Sequence, residues 1–463
     1  MTAPVAPGPR GVPLLGNAPD LQRNMYGAMA RDFRRYGDVV RYRLGPRVVH
    51  LLSHPDLAQQ VLVKGAAQHP KIPSGDGLGL LLGRGLVTND DHPSWLRQRR
   101  MMQPVFHRQG LAGLAGEMTA AGDRMLERWR VRYRPGDAVD VAGEMMRVTL
   151  DIISRTMFSV AVDEEAARIG TAVEEGTQFV SQRSRRALRL PLHWPLPGHA
   201  GFRAAKGTID AHIAGIIRER RAAGPGRGDL LDLLMAAQDA DTGERMTDRQ
   251  LHDEVLTVIG AGHETTANAL SWAWFLLAQH PQVLARLQAE VDGVLEDRDP
   301  TLADLGRLPY TAGVFQETLR LYPSAPMVSP RLVLEATILG GYAIPARSAL
   351  LVSISNIHRH PDFWADPGTF DPGRWVPGGP AQEAQAQEVQ KRHRLAFMPF
   401  GAGPRLCIGN NFALMEGPLL LAQMARAAEF RLLPGHSVQP EMAVTLRPRG
   451  GLPMTFWPRR GRA

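Results

Sequence analysis

Hydrophobic positions recur at helical spacing along most of the chain and predict a mostly helical protein. The pattern marks helices over residues 25–36, 110–131, 143–160, 163–186, 203–222, 229–237, 248–280, 281–295, 310–321 and 410–426. The longest, over 248–280, carries a capping-box pattern at Thr247 and Gln250 and stops before Pro281. At 1.5 Å per residue this helix would be about 50 Å long.

Alternating polar and apolar residues predict three small β regions. The first is a hairpin in which residues 39–44 and 48–52 flank Gly45-Pro46. The second covers residues 333–355 and turns at Gly340-Gly341, and a third hairpin is predicted over 444–456. Because these segments come from the start, middle and end of the chain, we expect an α+β fold, mostly α with small β-sheets, that forms one domain over residues 1–463.

Three stretches lack periodicity and predict irregular structure. Residues 1–20 are rich in proline and glycine and predict an extended leader, with neither a signal-peptide core nor a membrane span. Residues 190–198 form a proline-rich connector between two predicted helices, and residues 376–394 predict an exposed polar loop.

Composition narrows the function classes. The chain has 463 residues, of which 44% are hydrophobic and 22% charged, and these values exclude disordered and fibrous proteins. The net charge of +8 comes from arginines dispersed along the chain, so it does not indicate a nucleic-acid partner. One cysteine, Cys407, excludes a disulfide within the chain and indicates a reducing compartment. We therefore expect a cytoplasmic protein with no membrane anchor.

The only cysteine lies in a glycine-rich loop over residues 400–409, FGAGPRLCIG. Its glycines allow the backbone to approach a bulky, flat group. The helix predicted from residue 410 begins directly after the loop, and its N-terminus together with Arg405 would stabilise a thiolate at Cys407. A buried structural cysteine is the alternative, which the glycines, the arginine and the helix start argue against.

The predicted helix over 248–280 holds unusual residues at its midpoint. Gly260 and Gly262 each cost about 1 kcal/mol of helix propensity. Glu264 and Thr265 place an acid beside a hydroxyl in an apolar stretch, and the hydroxyl can bond a backbone carbonyl and widen the helix. The alternative is glycines that serve helix packing beside a surface acid, but the adjacency of acid and hydroxyl favours a functional site.

These motifs together resemble the cytochrome P450 family of haem-thiolate monooxygenases. The run Phe-Gly-x-Gly-x-Arg-x-Cys-x-Gly at 400–409 is similar to the family's haem-ligand signature, and residues 261–266, AGHETT, to its oxygen-activation motif. Residues 317–320, ETLR, are similar to its Glu-x-x-Arg motif, and residues 370–375, FDPGRW, to the segment that completes a Glu-Arg-Arg network. The similarity covers nearly the whole chain.

The resemblance assigns a role to each of these residues. It implies haem b with Cys407 as the iron ligand, O2 as co-substrate, and Glu264 and Thr265 as the residues that deliver protons to bound oxygen. Glu317, Arg320 and Arg374 would form a buried structural network that holds the cysteine loop. The cofactor contacts implied are Trp95, Arg99, Ala261, Arg331, Phe400, Arg405, Cys407 and Gly409.

Helical spacing supports one of these assignments and excludes a metal site. Trp95 and Arg99 stand four residues apart, so they face the same side of a helix, and a guanidinium suits a haem propionate. His263 and Glu264 are neighbours and therefore lie on different helical faces, which excludes a shared metal site between them. We expect His263 to point away from the iron.

The implied reaction inserts one oxygen atom of O2 into a hydrophobic organic substrate, by hydroxylation or epoxidation. The chain carries no flavin-like or ferredoxin-like extension, so electrons from NAD(P)H would arrive through a ferredoxin and a ferredoxin reductase. Basic side chains at Arg97, Arg100 and Arg405 would steer an acidic electron donor.

Two other functions stay open. A haem-thiolate peroxygenase, isomerase or dehydratase would need no electron donor, but the intact acid–hydroxyl pair argues against it. A haem-based sensor would normally carry an output domain, for which no boundary is visible.

The substrate pocket is expected to be apolar. The connector over 190–198 resembles that of bacterial relatives that act on fatty acids, terpenes or carotenoids. The predicted lining residues are Leu80, Phe179, Ile259, Met327, Val328 and Leu452.

Overall fold

The computed structural model describes residues 3–75, 77–161, 164–185, 190–224, 226–239, 243–376 and 393–459. Its α-helices are α1 (Ala18–Tyr36), α2 (Pro55–Gln59), α3 (Gly79–Leu82), α4 (His92–Met102), α5 (Arg108–Ala112), α6 (Ala115–Arg132), α7 (Val141–Phe158), α8 (Glu164–Arg185), α9 (His199–Ala223), α10 (Leu230–Ala236), α11 (Asp248–Gln279), α12 (Pro281–Leu295), α13 (Pro309–Leu321), α14 (Ile354–Ile357) and α15 (Asn410–Ala427). A π-helical turn covers Gln60–Lys64, and short 3-10 turns cover Gln103–Phe106, Leu302–Arg307, Pro372–Trp375 and Arg394–Ala396. The mostly helical fold is therefore as predicted.

The strands are short and form small sheets. They are β1 (Val39–Leu44), β2 (Arg47–Leu52), β3 (Ala138–Asp140), β4 (Arg331–Leu332), β5 (Thr337–Leu339), β6 (Tyr342–Ile344), β7 (Ala349–Val352), β8 (Ala428–Leu432), β9 (Pro440–Met442), β10 (Leu446–Pro448) and β11 (Pro453–Pro458). Within the described ranges they pair in the orders β1-β2-β7-β4, β5-β6, β9-β10 and β3-β11-β8. The pairing of β2 with β7 is parallel, and it joins strands from opposite parts of the chain.

The chain forms two compact units, each assembled from three segments. Unit one comprises Met1–Ile72, Pro309–Cys407 and Val438–Arg449, and unit two comprises Pro73–Leu308, Ile408–Ser437 and Gly450–Ala463. Unit one holds the sheets β1-β2-β7-β4, β5-β6 and β9-β10, whereas unit two holds most of the helices and the sheet β3-β11-β8. The expectation of one domain over the whole chain stays a prediction.

In unit one, the leader is ordered along β1. The amide of Arg41 donates to the carbonyl of Pro7 at 2.7 Å, and the amide of Asn17 donates to the carbonyl of Arg43 at 2.7 Å. Helix α1 begins at Ala18, earlier than predicted, and it is interrupted at Asn24, whose φ is −158°. That interruption explains why the periodic pattern begins only at residue 25.

In unit two, α11 is the central helix. Its N-terminus carries the predicted capping box between Thr247 and Gln250. Helix α7 packs along it, α15 also contacts it, and Trp272 and Trp274 are fully buried. Among the described helices, none combines the length and the apolar character needed to cross a bilayer.

The third predicted hairpin, over 444–456, is wrong. Strand β10 pairs with β9 in unit one, whereas β11 lies between β3 and β8 in unit two. Gly450 and Gly451 both have positive φ, 77° and 90°, but they carry the chain from one unit to the other instead of reversing it into a hairpin. The predicted polar loop lies mostly outside the described residues, which omit 377–392.

Candidate active site

The cysteine loop of unit one is closed by its own backbone hydrogen bonds. The amide of Cys407 donates to the carbonyl of Phe400 at 3.0 Å, and the amide of Leu406 donates to the carbonyl of Gly403 at 3.0 Å. Cys407 itself is exposed, so the alternative of a buried structural cysteine is wrong. The chain then enters unit two, where Gly409 is the N-cap residue of α15.

Gly403 allows this loop to pack closely against the π-helical turn Gln60–Lys64. Its φ is +75°, and a Cβ built there would lie 1.9 Å from the carbonyl oxygen of Leu62. The neighbouring Ala402 is buried in the same apolar cluster as Leu62. The close backbone approach made possible by this glycine is therefore to the protein itself, which the sequence interpretation did not anticipate.

Substituting Gly403 tests this packing contact. In Gly403→Ala the Cβ would enter the carbonyl of Leu62, and the left-handed backbone alone costs an L-residue roughly 1–2 kcal/mol. We expect the free energy of unfolding to fall by at least about 2 kcal/mol, with lower haem content. The measurement is chemical denaturation with haem quantified per protein. Gly113→Ala, where a Cβ meets nothing within 4 Å, is the control, and an equal effect in both variants would contradict the assignment.

Glu317, Arg320 and Arg374 come together in the interior of unit one. Glu317 accepts two hydrogen bonds from Arg320, one from Nη2 at 2.7 Å and one from Nε at 2.8 Å, and the Nε atom of Arg374 lies 3.4 Å from the Glu317 carboxylate. The indole of Trp375 and the amide of Asp371 also donate to this carboxylate, at 2.9 and 3.1 Å. Glu317 and Arg320 are 0% exposed, so the pair is not a surface ion pair.

The guanidinium of Arg320 also donates hydrogen bonds to backbone carbonyls. It donates to the carbonyls of His358, Pro367 and Thr369 at 2.8–3.0 Å, and it lies 4.9 Å from the ring centroid of Trp364. These acceptors could not be predicted from the sequence, since every residue has a backbone carbonyl. Arg320 therefore holds the segment before the 3-10 turn Pro372–Trp375 as well as its acid partner.

His358 connects this network to Met398, just before the cysteine loop, and the sequence reasoning missed it. Its Nε2 atom accepts the amide N–H of Met398 at 2.8 Å, while its carbonyl accepts from Arg320. Burial lowers the pKa of His358 to about 3, so the ring is neutral and remains an acceptor at Nε2. The signal that could have identified His358 is its position in a run of residues that are buried in the fold.

The midpoint of α11 carries the acid–hydroxyl pair. From residue 253 to residue 277 every position is buried except Ala261, Gly262, Glu264 and Thr265, which are half-buried. The hydroxyl of Thr265 donates to the carbonyl of Ala261 at 2.9 Å, as predicted. The helix stays α-helical across this turn, so the expected widening is absent.

The two glycines of this turn serve helix packing. A Cβ at Gly262 would lie 2.8 Å from the Ile153 side chain on α7, and one at Gly260 would lie 3.2 Å from Leu82 on α3. For these two residues the structure shows the packing contacts of the alternative. His263 is buried beside them, and its Nδ1 atom lies 2.7 Å from the carbonyl of Ile259, so this helical carbonyl takes up its ring N–H.

A second buried acid, Glu416 on α15, was also missed. It is fully buried, and burial raises its pKa to about 8. The hydroxyl of Thr266, next to Thr265 on α11, opposes this rise in pKa. A glutamate within the apolar run of α15 was a readable signal, and at neutral pH this carboxyl is mainly protonated.

Arg331 in unit one is a buried cation. It is 6% exposed, burial lowers its pKa, and its guanidinium makes no ion pair with any carboxylate in the described part of the chain. A buried guanidinium is costly without an anion, and a carboxylate is its natural bidentate partner. Together with an exposed thiol, this donor set fits a haem with its iron and its propionates.

The remaining residues predicted to bind the propionates or to steer an electron donor divide into two groups. Trp95 is buried and Arg99 half-buried on α4, one turn apart as predicted, and Arg405 is half-buried in the cysteine loop. Arg97 and Arg100 instead pair with Glu244 and Asp239, at 2.6 and 3.0 Å. Those pairs neutralise two of the three charges expected to steer an electron donor.

The predicted pocket residues are divided between the two units. In unit two, Leu80 lies on α3, which packs against α8 and α11, the helices that carry Phe179 and Ile259. In unit one, Met327 and Val328 lie beside β7, and the amide of Val328 donates to a β7 carbonyl. Leu452 is fully buried, and its amide donates to Asp140 at 2.8 Å. The lining stays a prediction.

The fold also gathers histidines that showed no metal-ligand spacing in the sequence. Ligand atoms of Asp38, His54 and His360 lie within 4.8 Å of one another. In both imidazoles Nδ1 faces a backbone amide, that of Asp56 at 3.1 Å and that of Asp362 at 3.2 Å. Both Nδ1 atoms are therefore acceptors and the Nε2 atoms carry the protons. The Nε2 atom of His360 lies 3.0 Å from Asp38, which indicates a hydrogen bond instead of a metal centre.

Comparisons with known proteins agree with this geometry. A family model described as Cytochrome P450 matches residues 6–453. The chain is 38% identical to cyclooctatin synthase of Streptomyces melanosporofaciens, over 97% of this chain and 95% of that protein. It is 36% identical to cyclooctat-9-en-7-ol 5-monooxygenase of the same organism, over 99% and 96% of the two chains. It is 34% identical to pentalenene oxygenase of Streptomyces avermitilis, over 96% of each.

The fold is similar to a solved structure. The crystal structure of the cytochrome P450DA heme domain superposes with a TM-score of 0.86 and 27% sequence identity, covering 99% of both chains. Fold and sequence comparisons therefore point to the same family as the motifs.

Proposed function

Since the chain belongs to the cytochrome P450 family, we propose that this haem-thiolate monooxygenase oxygenates an apolar cyclic substrate and relays protons through Glu264 and Thr265. The observation that carries the proposal is the half-buried acid–hydroxyl pair in the middle of an otherwise buried helix. Polar side chains are rarely kept at such a position without a task.

The cysteine loop and the buried arginine would hold the cofactor, haem b. Cys407 would ligate the iron, and Arg331, Arg405, Trp95 and Arg99 would bind the propionates. When bound, a thiolate-ligated haem supplies activation of O2 through electron donation from sulfur. The further contacts proposed are Phe400, Gly409 and Ala261.

Thr265 and Glu264 would then manage protons. The hydroxyl of Thr265 is held by the carbonyl of Ala261, so its oxygen is oriented and remains able to accept a hydrogen bond. Glu264 is half-buried, which lets its carboxylate exchange protons with solvent and pass them inward by rotation.

Removing the hydroxyl tests the relay. In Thr265→Ala we expect normal haem content and substrate binding, but product formation falling by roughly 100-fold while reducing equivalents are still consumed and released as hydrogen peroxide. The measurement is product and peroxide formed per NAD(P)H oxidised, with a surrogate ferredoxin and reductase. Glu264→Gln should shift the same ratio.

Ser271→Ala is the matched control, since this serine on the same helix donates to the carbonyl of Ala267 at 2.7 Å and is buried. Its product yield should stay at the wild-type level. Unchanged yields in Thr265→Ala and Glu264→Gln would refute the relay and favour the peroxygenase, isomerase or dehydratase alternative.

For electrons we propose a ferredoxin with its NAD(P)H-dependent reductase, in the cytoplasm.

For the substrate we propose a cyclic terpene, because relatives over nearly the whole chain carry the names of cyclic alkenes and alkenols. The test is a spin-state titration of the haem with cyclic terpenes against fatty acids of equal carbon number. Tighter binding of the fatty acids would contradict the substrate class.

A further inference from the structure

The leader of unit one ends in a hairpin that presents leucines to solvent. Val12 and Gly16 exchange two backbone hydrogen bonds of 2.9 Å, which closes a tight turn. Within it Leu14 is 95% exposed, Val12 50% and Leu15 49%. We call residues 12–15 the apolar tip.

The tip is held rigidly and at a cost. Leu14 has φ +63°, a left-handed conformation that costs a leucine roughly 1–2 kcal/mol. The turn is fixed to β1, since a Cβ at Gly16 would lie 2.1 Å from the carbonyl of Arg43 and one at Gly8 would lie 1.9 Å from that of Arg41. A strained, fully exposed leucine on a fixed support indicates a function.

A cationic cavity adjoins the tip. Its volume is about 510 Å³, and Val12, Leu14, Arg10, Arg41 and Arg43 are among its lining residues. No aspartate or glutamate lines it, and in the described part of the chain none of the three guanidiniums forms an ion pair with a carboxylate. Three unneutralised arginines beside exposed apolar side chains match an anionic lipid headgroup region above its acyl chains.

We propose that the apolar tip and these three arginines dock the enzyme onto an anionic phospholipid bilayer. Leu14, Val12 and Leu15 enter the interface between headgroups and acyl chains, and the arginines bind lipid phosphates. This surface is independent of the oxygenation chemistry, so catalysis in lipid-free buffer does not depend on it.

The experiment is sedimentation of the haem-loaded full-length protein with vesicles, of phosphatidylcholine alone or of phosphatidylcholine and phosphatidylglycerol in equal parts. We expect binding to the anionic vesicles that weakens with rising salt. Leu14→Ser should weaken it about tenfold, since an inserted leucine is lost. Replacing Arg10, Arg41 and Arg43 together by glutamine should weaken it roughly 100-fold.

The chain offers a matched control at the end of α6, where Val131 is 75% exposed next to Arg130 and Arg132. Val131→Ser, and glutamine replacements of Arg130, Arg132 and Arg134, should leave vesicle binding unchanged. Losses equal to those of the tip variants would overturn the proposal, as would no binding to anionic vesicles.

Two further outcomes would also overturn it. One is vesicle binding that Leu14→Ser leaves unchanged, which indicates charge alone. The other is vesicle binding that the joint replacement of Arg10, Arg41 and Arg43 leaves unchanged, which indicates that these arginines do not bind lipid phosphates. Turnover in lipid-free buffer, measured in parallel, should be the same for the tip variants and the wild type.

Discussion

Replacing Cys407 by alanine is expected to abolish the red-shifted carbon monoxide band of a thiolate-ligated haem and to reduce oxygenation to background. Cys407 is the only thiol in the chain, so no other side chain can supply a sulfur ligand. The loop itself should survive, because its hydrogen bonds are made by backbone atoms of Phe400, Gly403 and Met398, which alanine leaves in place. The loss should therefore be chemical, with the fold retained.

The measurement is the reduced carbon monoxide difference spectrum, paired with the far-ultraviolet circular dichroism of the same sample. Ile408→Val, which alters the adjacent residue and keeps the thiol, is the control and should keep the band. A red-shifted band that persists in Cys407→Ala would refute the assignment of the iron ligand.

Removing either partner of the buried pair Glu317–Arg320 is expected to cost about 3–5 kcal/mol of folding free energy. In Glu317→Ala, the guanidinium of Arg320 loses its counter-charge at 0% exposure, and Trp375 loses an acceptor. In Arg320→Ala, three backbone carbonyls lose their donor. Since a typical protein has only about 5–15 kcal/mol of stability, haem-loaded protein should become scarce.

The chain provides an exposed pair at the same spacing as a control. Arg130 and Glu127 are also three residues apart, with side chains 48% and 66% exposed. Glu127→Ala should change stability by less than about 1 kcal/mol. The measurement is denaturant unfolding of the three variants. Similar losses in the free energy of unfolding for Glu127→Ala and Glu317→Ala would mean that burial of the pair adds nothing to its contribution to stability.

Short-range contacts were predictable from the sequence. Glu317 with Arg320, Thr265 with the carbonyl of Ala261, and the capping box of α11 all join residues three or four positions apart, and helical geometry fixes such neighbours. The acid and the adjacent hydroxyl therefore lie at the midpoint of α11, where the sequence predicts them.

Contacts between distant segments could not be predicted in the same way. Gly262 packs against Ile153 and Gly403 against Leu62, and nothing in the local pattern names those partners. The role of His358 depends on an amide forty positions away, and the backbone acceptors of Arg320 have no side-chain signature. The wrong hairpin over 444–456 had the same origin, because the local pattern does not name the strand with which each half pairs.

The parallel pairing of β2 with β7 has a consequence for synthesis of the chain. Strand β2 ends at Leu52, but β7 begins at Ala349, so the ribosome adds nearly three hundred residues between them. At bacterial elongation speeds of about 5–20 residues per second, the β1–β2 hairpin waits roughly 15–60 s for its neighbour. During that interval Leu51 and Leu52, both fully buried in the finished fold, are uncovered on the nascent chain. A hairpin with an apolar face and an open edge is a substrate for chaperones, and yield in the cell should follow chaperone supply more closely than final stability.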